Sequence, residues 1–213
     1  MLFGSSGIRR KFDQTLIDTA LRIGSALASR SSDIVIGMDT RTTSPLLAHL
    51  VISGIIGSGG SAYVADIAPT PSVAYATRTA KAGCMITASH NPEEYNGLKL
   101  FNPDGSSFTS VQQAETEELL KIRHWTDWRH QGIEQSIDAL TLHKNAILDK
   151  TNIKSGITVV IDCGNGAGSV LSPALLAEGG AKPLCINCNP SGYFARPSEP
   201  LKEHLGYIGE MVK

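Results

Sequence analysis

Met85-Ile86-Thr87-Ala88-Ser89-His90-Asn91-Pro92 sets a hydroxyl, an imidazole and a carboxamide side by side after an apolar run. The run reads as a buried strand ending at Thr87. Asn91-Pro92-Glu93-Glu94 reads as a helix start, with Asn91 at the cap, Pro92 at the first helical position and Glu94 in the reciprocal capping position. Gly97 ends that helix after barely one turn. Ser89 is thus expected on a loop leading into a helix N-terminus, where unpaired N–H groups and the helix dipole favour an anion. A phosphate carries about −1.5 to −2 charges at pH 7, so this is a suitable place to keep one. Serine is a weak nucleophile until a base takes its proton. His90 is adjacent, although neighbouring side chains on a loop often point apart, and Lys99, past the Asn96-Gly97 turn, can return to the same rim. On spacing alone, capping and turning the chain is the commoner use of Thr87, Ser89 and Asn91.

The elements around that segment read as two α/β units. Asp13 caps a helix whose apolar face is Leu16, Ile17, Ala20, Leu21, Ile23 and Leu27. Strands follow at Ile34–Gly37, Ala62–Val64, Gly83–Thr87 and Leu98–Phe101. Leu46–Ile56 is helical in pattern, Pro69-Thr70-Pro71 forces a turn, and residues 72–80 form a short helix. Ser110 with Gln113 makes a capping box for a helix through Ile122. Residues 123–136, polar with Trp125 and Trp128, read as connector, and a helix through Ile137, Leu140, Ile147 and Leu148 follows. The pattern then restarts with a strand at 157–162, a glycine-rich turn, a helix at 170–178 and a strand at 182–188. Strands alternating with helices imply a mostly parallel sheet covered on both faces. The expectation is a three-layer α/β/α domain with a mixed, mostly parallel sheet over residues 1–136, a connecting helix over 137–154, and a truncated second α/β domain over 155–213.

Composition narrows the function classes. The 213 residues are 41% hydrophobic and 18% charged, with a formal net charge of −1, which suits a globular chain rather than a disordered one. No cluster of Lys and Arg is dense enough to track nucleic acid or an anionic membrane. No apolar run approaches the roughly 20 residues of a membrane span, and Met1-Leu2-Phe3-Gly4 lacks a secretion signal, so a cytoplasmic protein is expected. Cys185-Ile186-Asn187-Cys188 raises zinc or thiol redox chemistry, but no second pair completes a zinc set, and Asn189-Pro190-Ser191-Gly192 after it is turn chemistry. Gly164-Asn165-Gly166-Ala167-Gly168 follows a strand, yet Ser169 stands where a dinucleotide fingerprint needs its third glycine. It reads as a tight strand-to-helix turn.

The segment from Ile86 to Lys99 resembles the phosphoserine loop of the α-D-phosphohexomutase family, the phosphoglucomutases and phosphomannomutases, whose T-[AG]-S-H-N-P core is followed by N-G-x-K. Phe3-Gly4-Ser5-Ser6-Gly7-Ile8-Arg9 is similar to the family's N-terminal F-G-T-S-G-I-R-G, departing at Arg10, where the family has glycine. Gly37-Met38-Asp39-Thr40-Arg41 resembles its G-x-D-x-R. Val160 to Ser169, with Pro197-Ser198-Glu199-Pro200, resembles the opening of its second domain.

The resemblance implies that Ser89 carries the phosphoryl group. It puts Arg9 and Lys99 beside Ser89 in acid/base and phosphate-orienting roles, counts His90 with the catalytic residues and has it shape the loop together with Asn91, sets Asp39 and Arg41 on the floor of the site, and makes Ser6, Arg10, Asp39, Arg41 and Asn91 phosphate- or substrate-binding. It also leaves open which of Arg9 and Arg10 faces the phosphate. The implied activity is reversible transfer of phosphate between the 1- and 6-positions of glucose, mannose or glucosamine phosphates. Mg²⁺ is implied too, held by one oxygen of phospho-Ser89 and an Asp-rich D-G-D-x-D-R loop that does not occur in this sequence. On this reading the 213-residue chain binds no metal well, lacks the sugar-recognising and phosphate-clamping domains, and is inactive alone. A non-catalytic phosphosugar-binding module and a serine phosphohydrolase remain as alternatives.

Overall fold

The computed structural model describes residues 2–4, 7–122, 124–151, 153 and 155–212. The first unit opens with strand β1 (Ile8–Lys11) and helix α1 (Gln14–Ala28). The Asp13 carboxylate caps α1 by accepting the Leu16 N–H at 2.9 Å. Strand β2 (Asp33–Met38), helix α2 (Ser44–Gly57), strand β3 (Ser61–Ile67) and helix α3 (Thr70–Ala76) follow. Then come β4 (Ala82–Ile86), β5 (Tyr95–Phe101), α4 (Ser110–Leu119), β6 (Glu134–Ser136) and α5 (Ala139–Leu148).

The strands form one mixed sheet in the order β1-β5-β4-β2-β3-β6. β4, β2, β3 and β6 pair in parallel, and β5 runs antiparallel to β4 and β1. β2 and β4 are near-continuous apolar runs because both of their faces are covered. On one face Leu16, Ile23, Leu47 and Val51 of α1 and α2 pack against Ile34, Ile36, Ile86 and Leu98. On the other, Val73 of α3 and Ala139 of α5 meet Val35, Met85 and Phe101. The α1–α2 contact is backbone-close: a Cβ on Gly24 would lie 2.1 Å from the Val51 carbonyl oxygen. The three-layer expectation is met.

Three local expectations are not. Asn91–Glu94 does not start a helix; the chain bends at Asn91, turns at Glu93 and Glu94, and is a strand from Tyr95 onward. Pairing on both sides gives β5 the backbone partners a one-turn helix lacks. Buried Asn96 adds to this, donating from Nδ2 to Thr43 Oγ1 (2.8 Å) and Ser44 Oγ (2.9 Å). Gly97 is needed mid-strand, since a Cβ there would lie 2.0 Å from the Ile8 carbonyl oxygen. The capping box is Thr109 with Gln112, one residue earlier than expected, and α4 stops at Leu119. Within the expected connector, β6 adds an edge strand beside β3.

The second unit contains β7 (Thr158–Asp162), α6 (Ser172–Glu178), β8 (Lys182–Ile186) and α7 (Gly206–Met211), with β7 and β8 paired in parallel. After the glycine turn the chain passes through one 3-10 turn, Ala167–Val170, and α6 begins at Ser172, two residues later than the expected helix start at 170.

Candidate active site at the carboxyl ends of β2 and β4

In an open α/β sheet, crevices form beyond the carboxyl ends of the parallel strands. Here β2 and β4 end side by side, Met38 paired with Ile86, and the chain leaving each bears polar residues. A cavity of about 350 Å³ lies there, lined by Asp39, Thr40, Thr87, Ser89 and His90 of the first unit. The Gly166–Gly168 turn, Phe194 and Ser198 of the second unit close its other side.

Ser89 sits in the left-handed region, φ 57°, uncommon and strained for a residue with a side chain. Its N–H donates to Thr87 Oγ1 (2.9 Å), and the turn brings the seryl Oγ to 3.3 Å from His90 Nδ1. Both side chains are exposed to the cavity. So Ser89 is presented by a strained strand-to-strand turn, and the helix N-terminus expected from the sequence plays no part.

What holds the turn is Arg41, buried to 2% exposure. A guanidinium has five N–H donors in a planar fork, and here each finds an acceptor. Nε donates to Asp39 Oδ2 (3.1 Å), one terminal nitrogen to the carbonyls of Pro92 (2.6 Å) and Tyr95 (2.9 Å), the other to those of Ser89 (3.0 Å) and Asn91 (2.7 Å). None of the five is left over for a phosphate oxygen: Arg41 lies beneath the turn and holds its backbone. Asp39 is likewise engaged, its Oδ1 accepting the Arg41 N–H (3.1 Å) and the Ser44 hydroxyl (2.6 Å).

The remaining expected residues divide. Arg10 turns away, its guanidinium 2.5 Å from the Asp13 carboxylate. Arg9 and Lys99 share a sheet face by strand alternation, opposite to the face of Ile8 and Leu98. Lys99 Nζ lies 5.4 Å from the centre of the Phe101 ring. Neither lines the cavity that holds Ser89, and nor does Asn91. Ser6 lies outside the described residues.

Sequence reading did not single out Thr40, Ser44 or Asn96 for roles here. Thr40 is 6% exposed, lines the cavity and has no hydrogen-bond partner for its Oγ1, which makes it a spare polar group beside Ser89. The polar Ser44 opening an otherwise apolar helix, and the Asn96-Gly97 pair in a strand, were the available signals.

In the second unit, Asp162 gathers donors below the glycine turn: the Gly164 N–H (2.6 Å), Arg196 Nε (3.2 Å), Asn187 Nδ2 (3.3 Å) and the Tyr207 hydroxyl. Burial alone would raise its carboxyl pKa, but the Tyr207, Gly164, Arg196 and Asn187 hydrogen bonds outweigh burial and hold it below the ordinary carboxylate range. The described residues include no group of three or more His, Cys, Asp or Glu side chains able to hold a metal. Asp39, the one carboxylate lining the serine cavity, is already taken up by Arg41 and Ser44. These side chains do not fit a Mg²⁺ site.

Residues 1–125 match the model of phosphoglucomutase/phosphomannomutase alpha/beta/alpha domain I, and residues 134–213 that of domain II. Over 218 residues the chain is 40% identical to a protein of Pyrococcus horikoshii named a probable phosphoglucosamine mutase, covering 99% of this chain and 48% of that one. A Methanocella arvoryzae protein of the same name is 41% identical over 222 residues, covering 100% and 49%. The crystal structure of a Thermus thermophilus protein, named a putative phosphomannomutase, superposes with a TM-score of 0.84 at 25% identity, covering 99% of this chain and 51% of that one. The chain thus spans about half the length of the curated relatives it matches. With both domain models matched in order along nearly its whole length, the chain belongs to the phosphoglucomutase/phosphomannomutase family.

Proposed function

We propose that the chain supplies the phosphoserine part of a phosphohexomutase that interconverts the 1- and 6-phosphates of a hexosamine, with Ser89 as the phosphoryl carrier. The observation that carries this reading is the left-handed turn that presents the Ser89 hydroxyl to a cavity beside His90. The relatives' names favour glucosamine over glucose or mannose as the sugar.

In the proposed cycle the bond from Ser89 Oγ to phosphorus breaks as the free hydroxyl of the sugar phosphate takes the phosphoryl group, and the proton of that hydroxyl ends on Ser89 Oγ. The resulting bisphosphate reverses in the site, and Ser89 Oγ takes back the other phosphoryl group. Such transfers are catalysed mainly by positioning and by charge stabilisation. Arg41 contributes to both without touching phosphate. It draws the carbonyl oxygens of Ser89, Asn91, Pro92 and Tyr95 toward itself, so their negative ends are engaged elsewhere when a dianion sits on Ser89. The Thr40 hydroxyl is free to donate into the cavity. Lys99 and Arg9 are assigned to balance charge at the rim, and His90 Nδ1 to exchange a hydrogen bond with the seryl oxygen. A cytoplasmic setting fits the four free thiols.

Ser89→Ala in the complete gene product tests the reading with glucosamine 1-phosphate and 6-phosphate as substrates. Loss of interconversion with an unchanged melting transition is expected. Turnover like that of the unmodified protein would contradict it.

A further inference from the structure

The four consecutive carbonyls from Ser89 to Pro92 all have donors, yet Arg41 supplies only three. The exception is the carbonyl of His90. It accepts the hydroxyl of Ser198 at 2.5 Å, and the same hydroxyl lies 2.9 Å from the Asn91 carbonyl, which Arg41 also holds. Ser198 is more than a hundred residues away in sequence and belongs to the second unit. The segment that brings it is fastened at two further points. The Phe194 N–H donates to Glu93 Oε1 (3.0 Å), and the Phe194 ring covers the Arg41 guanidinium at 5.1 Å from its centre. Gly192, φ 82°, sits so close to the end of β2 that a Cβ would lie 2.6 Å from the Thr40 carbonyl oxygen.

The His90 peptide unit is the one in this run whose carbonyl Arg41 leaves to the second unit. Its orientation fixes the direction in which the His90 imidazole leaves the chain, and so the 3.3 Å approach of Nδ1 to Ser89 Oγ. Ser89 is held in a strained conformation, and such conformations persist only where the surroundings over-determine them. With the other three carbonyls fixed from below, the one left to the second unit decides whether the turn is fully determined.

We propose that Ser198 is a positioning residue. The second unit delivers its hydroxyl to the His90 carbonyl, and seating of that unit thereby sets the geometry of the phosphoserine turn. This rests on Ser89 being the phosphoryl carrier. Substituting Arg41 would disturb the whole turn at once, because a buried guanidinium with five partners is lost with it. Ser198 is only partly buried, and its hydroxyl can be removed without opening the core.

The experiment compares Ser198→Ala, Ser198→Thr and Ser89→Ala in the complete gene product, with kcat and KM measured for glucosamine 1-phosphate. Removing one hydrogen bond that orders the reacting group should lower kcat of Ser198→Ala about tenfold, with KM within about twofold. Ser198→Thr, which keeps the hydroxyl, should recover most of the loss. In parallel, the His90 ring resonances of the 213-residue chain should shift in Ser198→Ala and stay in place in Ser198→Thr. Unimpaired kcat in Ser198→Ala, or unmoved His90 resonances, would overturn the proposal. So would a rise in KM alone, because that would place Ser198 on the substrate. Ser89→Ala separates the two readings. Activity in that variant overturns the phosphoserine assignment, whereas an inactive Ser89→Ala beside an unimpaired Ser198→Ala overturns the positioning role only.

Discussion

The serine turn of the first unit and the glycine turn of the second both leave the carboxyl end of a parallel strand, and they are held by buried charges of opposite sign. Under the serine turn lies a cation: Arg41, its side chain 1% exposed, collects backbone carbonyls. Under the glycine turn lies an anion: Asp162, also 1% exposed, collects N–H and O–H donors. A buried charge organises a loop by choosing which end of its peptide dipoles faces inward. The serine turn has its carbonyls drawn in, which suits a site that must tolerate a phosphate above it. Surroundings differ as well. β4 is buried throughout, whereas β8 is half exposed, with Leu184 at 49%. The first hub sits against a closed core, and the second stands largely on its own hydrogen bonds.

The largest expected effect comes from removing the cation. Arg41→Met strands the Asp39 carboxylate and four carbonyls, and breaking a buried pair in this way costs about 3–5 kcal/mol. Urea unfolding should show the loss in the first unit's transition. Arg41→Lys should recover less than half of it, because three donors on a point charge cannot replace a planar fork. A loss below about 1 kcal/mol, the range of an exposed pair, would mean that the turn is held by something else.

Removing the anion should do less and do it elsewhere. Asp162→Asn keeps the shape but weakens three or four donated bonds, at about 1–3 kcal/mol. Amide exchange at Gly164 should quicken while that at Asn91 and Tyr95, whose N–H groups donate to the Ala88 and Pro92 carbonyls, is unchanged. Faster exchange at the serine turn would show that the two hubs are one cooperative system.

The contrast between hubs was only half legible in the sequence. Apolar runs gave β2 and β4, Asp13 gave the start of α1, and the Thr-Ala-Ser-His-Asn-Pro core pointed to Ser89. Asn91-Pro92-Glu93-Glu94 satisfies every local rule for a helix start. It is overruled because β1 and β4 offer β5 a partner on each side, and pairing between segments so far apart leaves no trace in a short window. Arg41 was marked by its motif, but an arginine that takes up distant carbonyls reads the same as one that binds phosphate. Its five acceptors lie at Asp39 and between Ser89 and Tyr95, and only the fold brings them together.

The smallest effect concerns the far face of the first unit. His143 on α5 accepts or donates at Nδ1 with the Ser72 hydroxyl (2.9 Å) and stacks on Tyr75. Desolvation lowers its pKa below the ordinary 6.5, so the folded state favours the neutral ring. A depressed histidine pKa means stability that is present above about pH 6.5 and lost as pH falls through the lower folded value. The melting temperature of the unmodified chain should therefore fall between neutral and mildly acid pH by more than that of His143→Phe. Equal falls would remove His143 from the account of α3–α5 packing.

The central claim is that Ser89 is the residue that holds the phosphoryl group. The most direct measurement is mass mapping of peptides from the complete gene product as purified from its cells. The account predicts a phosphate on the peptide containing Ser89, replaced by isotopically labelled phosphate when the protein turns over labelled glucosamine 1-phosphate and absent from Ser89→Ala. A phosphate located on Thr40, Thr87 or Ser198 in place of Ser89, or one on Ser89 that does not exchange with the phosphate of the sugar, would contradict it.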